Sequence, residues 1–129
     1  MRSYRDLHVW QEARVLAREI YETTGSYPRA EMFGLVQQLR RAAVSIICNI
    51  AEGQGRWSRR DQVNFYFIAR GSALEVETQL LISADLGYIS PEAAQPLISR
   101  AQRIARMLNG LIRRSRHAGQ PPPPPSPEP

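Results

Sequence analysis

Lysine is missing from this chain: all 17 basic residues are Arg. A GC-rich coding bias would produce that composition, and guanidinium forks also suit bidentate phosphate contacts better than ammonium groups do; both can hold. Cysteine is nearly absent. Cys48 stands alone, which excludes an intramolecular disulfide and a thiolate metal cage and fits a reducing cytoplasm. The only histidines, His8 and His117, share no local motif with acids or cysteine. No apolar run of about 18 residues occurs. The stretch from Met1 to Trp10 carries Arg2, Arg5 and Asp6 and has no apolar signal core. A cytoplasmic protein is therefore expected, neither secreted nor membrane-spanning. Zinc spacing, a phosphate-binding glycine loop and a nucleophile elbow are all lacking. Gly53-Gln54-Gly55 is too short for a dinucleotide fingerprint, and no strand precedes it.

Sustained two-residue alternation is also absent, so no sheet is expected. Four helical segments separate at Gly and Pro. The first spans about Asp6 to Thr24, with Leu7, Trp10, Ala13, Leu16, Ala17, Ile20 and Tyr21 at helix spacing. The second runs from about Ala30 to Ala51 or a little beyond, with Leu35, Val36, Leu39, Ala42, Ala43, Ile46, Ile47 and Ile50 on its apolar face. The third runs from about Ser58 to Leu86. Ser58 and Asp61 form a variant capping box, and Val63, Tyr66, Phe67, Ala73, Leu74, Leu80, Leu81 and Ala84 form the expected buried stripe. Gly71, inside that pattern, is expected to permit a close helix approach, and Gly87 to end the helix in the left-handed region. The fourth opens with Ser90-Pro91 as cap and first turn; its stripe is Leu97, Ile98, Ala101, Ile104, Ala105, Leu108, Leu111 and Ile112. Pro96 predicts a small kink or a late start. The fold expected is all-α: an antiparallel up-down-up-down four-helix bundle over residues 1–118. A disordered Pro-rich tail over 119–129 follows, its prolines favouring polyproline II.

Charge is unevenly placed. Residues 1–90 hold 11 Arg against 10 acids, whereas 91–116 hold 6 Arg against Glu92 alone. Arg100, Arg103, Arg106, Arg113 and Arg114 are expected opposite Ile104, Ala105 and Leu108. A single-sign face repels itself and usually has an anionic partner, although most charge runs are solvated faces. Arg56, Arg59 and Arg60 form a second cluster beside Trp57, which is exposed by position. Arginine beside an aromatic suits backbone contact and base stacking; Trp57 could equally pack or contact another subunit. Gln38, Arg41, Ser45, Asn49, Glu52 and Arg56 fall within roughly 80° on the second helix. Asp61, Ser72, Glu75 and Gln79 make a comparable line on the third. These are solvated flanks, or a hydrogen-bonded network between the two helices or between subunits.

The segments YPRAEMFGLVQQLRRAAVSIICNIAEGQGR and SRRDQVNFYFIARGSALEVETQLLISADLGY, with LHVWQEARVLAREIYETT before them, resemble a known pattern. NIAEG-x-GR and ARGSALE are its most specific pieces. It is that of bacterial four-helix-bundle proteins encoded in intervening sequences of 23S ribosomal RNA genes, to which the accessory variability determinant of diversity-generating retroelements is similar. The resemblance implies a ring, typically a homopentamer, and no known enzymatic activity. For the retroelement relatives it implies binding of nucleic acid and of a reverse transcriptase through a positive surface.

The reading favoured by the sequence is a non-enzymatic, oligomeric accessory protein that binds RNA or DNA, with no catalytic residue, metal or cofactor. Its candidate contacts are Arg56, Arg59, Arg60, Arg100, Arg103, Arg106, Arg113 and Arg114. Gln38, Arg41, Ser45, Asn49, Glu52, Ser72, Glu75 and Gln79 are the candidate assembly or polar-network residues. An assembly factor without nucleic-acid binding is the alternative. A metal-dependent nuclease using Glu52, Asp61 and Glu75 is a third.

Overall fold

The computed structural model describes residues 3–118. Met1, Arg2 and the whole of the expected Pro-rich tail, 119–129, lie outside them. A single 3-10 turn, Tyr4–Asp6, leads into α1 (His8–Thr24). A second, Arg29–Glu31, precedes α2 (Leu35–Gln54); α3 is Arg59–Asp85 and α4 is Pro91–Ala118. Among the described residues there is no strand. Short connections make consecutive helices antiparallel. α1 packs on α2 and α4, and α3 packs on α2 and α4, which closes a four-helix bundle.

The helix boundaries follow from local chemistry. Ser3 Oγ accepts from Arg5 N at 3.1 Å, and Leu7 is extended before α1 begins, two residues later than its periodicity suggests. α2 starts at Leu35 rather than Ala30. Gly34 adopts φ −109°, ψ −111°, outside the helical region, and the Glu31 carboxylate accepts from Leu35 N at 3.3 Å. Ser58 Oγ accepts from Asp61 N at 3.1 Å, the expected cap of α3. At the far end Gly87 has φ +78°, while Tyr88 N donates to Ser83 O and Gly87 N to Ala84 O, the paired bonds of a Schellman motif. Ser90 Oγ accepts from Ala93 N, and α4 runs from Pro91 with no late start. Pro96 lies inside it at the cost of one intrahelical bond.

Leu16, Ile20, Leu39, Ile46, Ile50, Tyr66, Val76, Leu80, Ile104 and Leu108 fill the centre, each essentially inaccessible. Each contributes roughly 1.5–3 kcal/mol by leaving water. The stripes expected for α1, α2 and α4 lie largely inside, with Tyr21 exposed and Ile47 and Ala105 half-buried. The α3 stripe is corrected. Leu74 and Leu81 face outward, whereas Ala69, Ser72, Ala73, Val76 and Ser83 face inward. α3 is apolar on more than one side, so period alone could not orient it. Gly71 is corrected too: a Cβ there would meet nothing within 4 Å. The close approach occurs at Gly53, where a Cβ would stand 2.5 Å from Tyr66 Cε1.

Candidate nucleic-acid interface

One end of the bundle gathers the finish of α2, the start of α3 and the finish of α4. Gln54, in the last turn of α2, donates its Nε2 to the Tyr66 hydroxyl at 2.6 Å and ties α2 to α3. Burial pushes the Tyr66 hydroxyl above its ordinary pKa; the Gln54 bond and the charges of Arg59 and Arg114 pull the other way.

Beside them lies a shallow cleft lined by Arg59, Arg60, Val63, Asn64, Phe67 and Arg116. No acid lines it. The Phe67 ring is half-buried, with the Arg70 guanidinium 4.6 Å and that of Arg116 5.2 Å from its centroid. Arg70 also donates to Asn109 Oδ1 at 2.8 Å. Helix dipoles do not account for this concentration of charge. A C-terminal dipole amounts to about half an elementary charge, less than Arg113, Arg114 and Arg116 supply at the end of α4. Arg59 and Arg60 sit at the N-terminus of α3, where the dipole disfavours cations by about 0.3–1 kcal/mol each. An anion would relieve both sets.

The eight arginines expected to contact nucleic acid therefore divide. Arg56 pairs with Glu52 at 3.0 Å and lies 4.7 Å from the Phe65 centroid. Arg59 donates to Gln62 Oε1 at 3.2 Å. Arg60, Arg106, Arg113 and Arg114 are exposed and enter no ion pair among the described residues. Arg100 is the correction: it is not on a free basic face. Its guanidinium bonds Glu12 and, at 2.8 Å, Glu19, clamping α4 to α1. Arg103 stands 3.7 Å from the other Glu12 oxygen. The acids that neutralise this part of α4 come from another helix, 81 and 88 residues away in sequence, so counting acids along α4 could not reveal them. Arg116 was missed. Only the approach of α4 to α3 brings it to Phe67.

The polar stripes of α2 and α3 meet along a second depression, lined by Gln38, Arg41, Ala42, Ser45, Ser72, Glu75 and Gln79. The Ser45 and Ser72 hydroxyls share a hydrogen bond of 2.8 Å, and Gln79 Nε2 donates to Gln38 Oε1 at 3.5 Å. Asn49 Nδ2 folds back to Ser45, donating to its carbonyl at 2.8 Å and its hydroxyl at 3.0 Å. Glu52 is not part of this network; it serves Arg56. Among the described residues no three His, Cys, Asp or Glu side chains come close enough to hold a metal, so Glu52, Asp61 and Glu75 do not form the metal site a nuclease would need. His8 and His117 are both exposed, one at the start of α1 and the other near the end of α4.

The opposite end carries a feature that periodicity hid. Phe33 is 87% exposed and, with Tyr21, Met32, Val36 and Val44, borders a mainly apolar groove flanked by Arg40 and Arg41. Reading helix two from Ala30 placed Phe33 inside a helix; its neighbour Gly34 was the available signal that it lies in the lead-in segment instead. No helix of the described residues is long and apolar enough to cross a membrane.

Comparison with known proteins agrees with this architecture. The family model described as 23S rRNA-intervening sequence protein matches residues 5–110. A crystal structure of a protein of unknown function from the S23 ribosomal protein family of Bacteroides thetaiotaomicron superposes with a TM-score of 0.73 at 26% identity, covering 81% of this chain and 97% of that one. No curated protein gives a match.

Proposed function

This chain belongs to the 23S rRNA-intervening sequence protein family, and from that premise we propose that it is a non-enzymatic accessory protein that binds RNA or DNA through one end of its bundle and works as a homo-oligomeric ring. The observation that carries the reading is the cleft of Arg59, Arg60 and Arg116, lined by no acid and adjoining the loop that bears Trp57. Guanidinium groups gathered around a cleft that no acid lines attract phosphate, and counterion release drives the association. The resemblance to the accessory variability determinant supports a further role: holding a strand for a partner reverse transcriptase.

Fluorescence anisotropy with labelled RNA and DNA oligonucleotides tests this. Micromolar or tighter binding is expected at low salt, with log K falling linearly as log salt rises. The combined Arg59→Ala, Arg60→Ala and Arg116→Ala variant should lose at least about ten-fold in affinity, whereas Arg100→Ala should keep it, because Arg100 is engaged by Glu12 and Glu19. An unchanged triple variant would remove this end as the site.

One observation favours a second reading, an assembly factor that contacts protein alone. The outer side of α3 exposes Ile68, Leu74, Leu81, Ile82 and Leu86. A helix apolar on several sides is normally covered. Oligomerisation without any nucleic-acid binding would favour that alternative.

A further inference from the structure

Trp57 is fully open to solvent, at 101% of its reference area. Its loop is nevertheless held on both sides. Gly55 N donates to Ala51 O and Glu52 O, and Gln62 Nε2 donates to Arg56 O at 3.0 Å. The Arg56 side chain is anchored on Glu52 and over Phe65, and Ser58 caps α3. Every neighbour of Trp57 in the loop thus has an intramolecular partner, and the indole has none. The other aromatic rings beside this basic cluster are already engaged: Tyr66 is buried, Tyr4 packs edge-on against Trp10, Phe65 carries Arg56, and Phe67 carries Arg70 and Arg116. Trp57 is the ring left with its faces open.

We propose that Trp57 is a base-stacking platform, which makes this basic end selective for single-stranded nucleic acid over duplex. The inference rests on the nucleic-acid reading above and narrows it. In a duplex each base face is covered by its neighbour, so an indole meets only edges and sugars. An unpaired base offers its whole face, and stacking on an aromatic ring tolerates any base identity. The loop backbone is already held, so a base that lands on the indole orders only the side-chain torsions of Trp57. The adjoining phosphates then fall to Arg59, Arg60 and Arg116, which line the neighbouring cleft. The arginine cluster around the indole favours this partner over a protein surface, since Asp61 is the only acid in the first turn of α3 and Glu52 is occupied by Arg56.

The test uses the full chain and three probes of equal phosphate number: an oligothymidylate of about ten nucleotides, within the usual span of single-strand sites, the matching abasic strand and a hairpin duplex. The thymidylate should bind at least about ten-fold more tightly than the other two. Trp57→Ala should abolish that preference while leaving the duplex affinity unchanged, and Trp57→Phe should keep part of it. Of the 2 Trp, Trp10 is buried in the core, so quenching of the exposed indole emission reports stacking directly. Equal binding of all three probes, unaffected by Trp57→Ala, overturns the proposal and leaves a phosphate-only site, with the broader reading intact. Absence of binding to any probe overturns both. Dissociation of an oligomer by Trp57→Ala, without loss of single-strand preference, assigns the indole to a subunit contact and also overturns it.

Discussion

Gly53 shows how much one missing methyl group can decide. It sits within α2, where glycine is a poor helix former, and its hydrogen faces the ring of Tyr66. That ring is fully buried and its hydroxyl is held by Gln54, so it cannot swing away as a surface side chain would. Gly53→Ala should therefore destabilise the fold by about 1–3 kcal/mol through overpacking, read as a lower urea midpoint with an unchanged m-value. A stability equal to the parent chain would show that α2 and α3 can part at this point without cost. Arg100 makes the complementary case. From sequence it belongs to a row of like charges; in the structure it satisfies two carboxylates of α1.

At the scale of the element, α3 is the helix whose faces were hardest to read. Its inner side is lined by Ala69, Ser72, Ala73 and Ser83 as well as Val76 and Leu80, while Leu74 and Leu81 point outward. Small inner residues let both neighbouring helices approach, so side-chain size ran against the usual large-inside pattern. Two glycines on or after α3 should respond to alanine in opposite directions. Gly71 has open space where a Cβ would go, and Gly71→Ala should raise stability by up to about 1 kcal/mol. Gly87 has φ +78°, and Gly87→Ala should cost about 1–2 kcal/mol. Thermal denaturation of the two variants, followed by circular dichroism, measures both signs. The termini of α3 and α4 were legible because Ser58, Gly87 and Ser90 act through bonds to residues a few positions away.

For the whole molecule, three surfaces of the described residues stand out without an intramolecular partner: the basic end around Trp57, the apolar outer side of α3 and the groove beside Phe33. A ring of subunits, as proposed above, would bury the second. Replacing Leu74 and Leu81 by Glu should convert the oligomer to a monomer in light scattering while the helical circular dichroism is kept, since both side chains lie outside the core. A monomeric parent chain would count against the ring. Retained single-strand binding by the monomeric variant would show that one basic end suffices for the contact, and its loss would show that neighbouring ends act together.

The sequence by itself determined the all-helical bundle, the hydrophobic stripes of three helices and the caps of α3 and α4. These depend on periodicity and on hydrogen bonds between residues close in the chain. It also carried the cluster of Arg56, Arg59 and Arg60 around an exposed Trp57. Only the tertiary structure decided which basic residues share a cleft. It joined Arg116 to Arg59 and Arg60, gave Arg100 to Glu12 and Glu19, brought Ser45 to Ser72, and placed Gly53 rather than Gly71 at the close contact. The physical reason is distance along the chain. Charge and steric fit act through space, so a residue's partners on another helix leave no mark in the local pattern of its own.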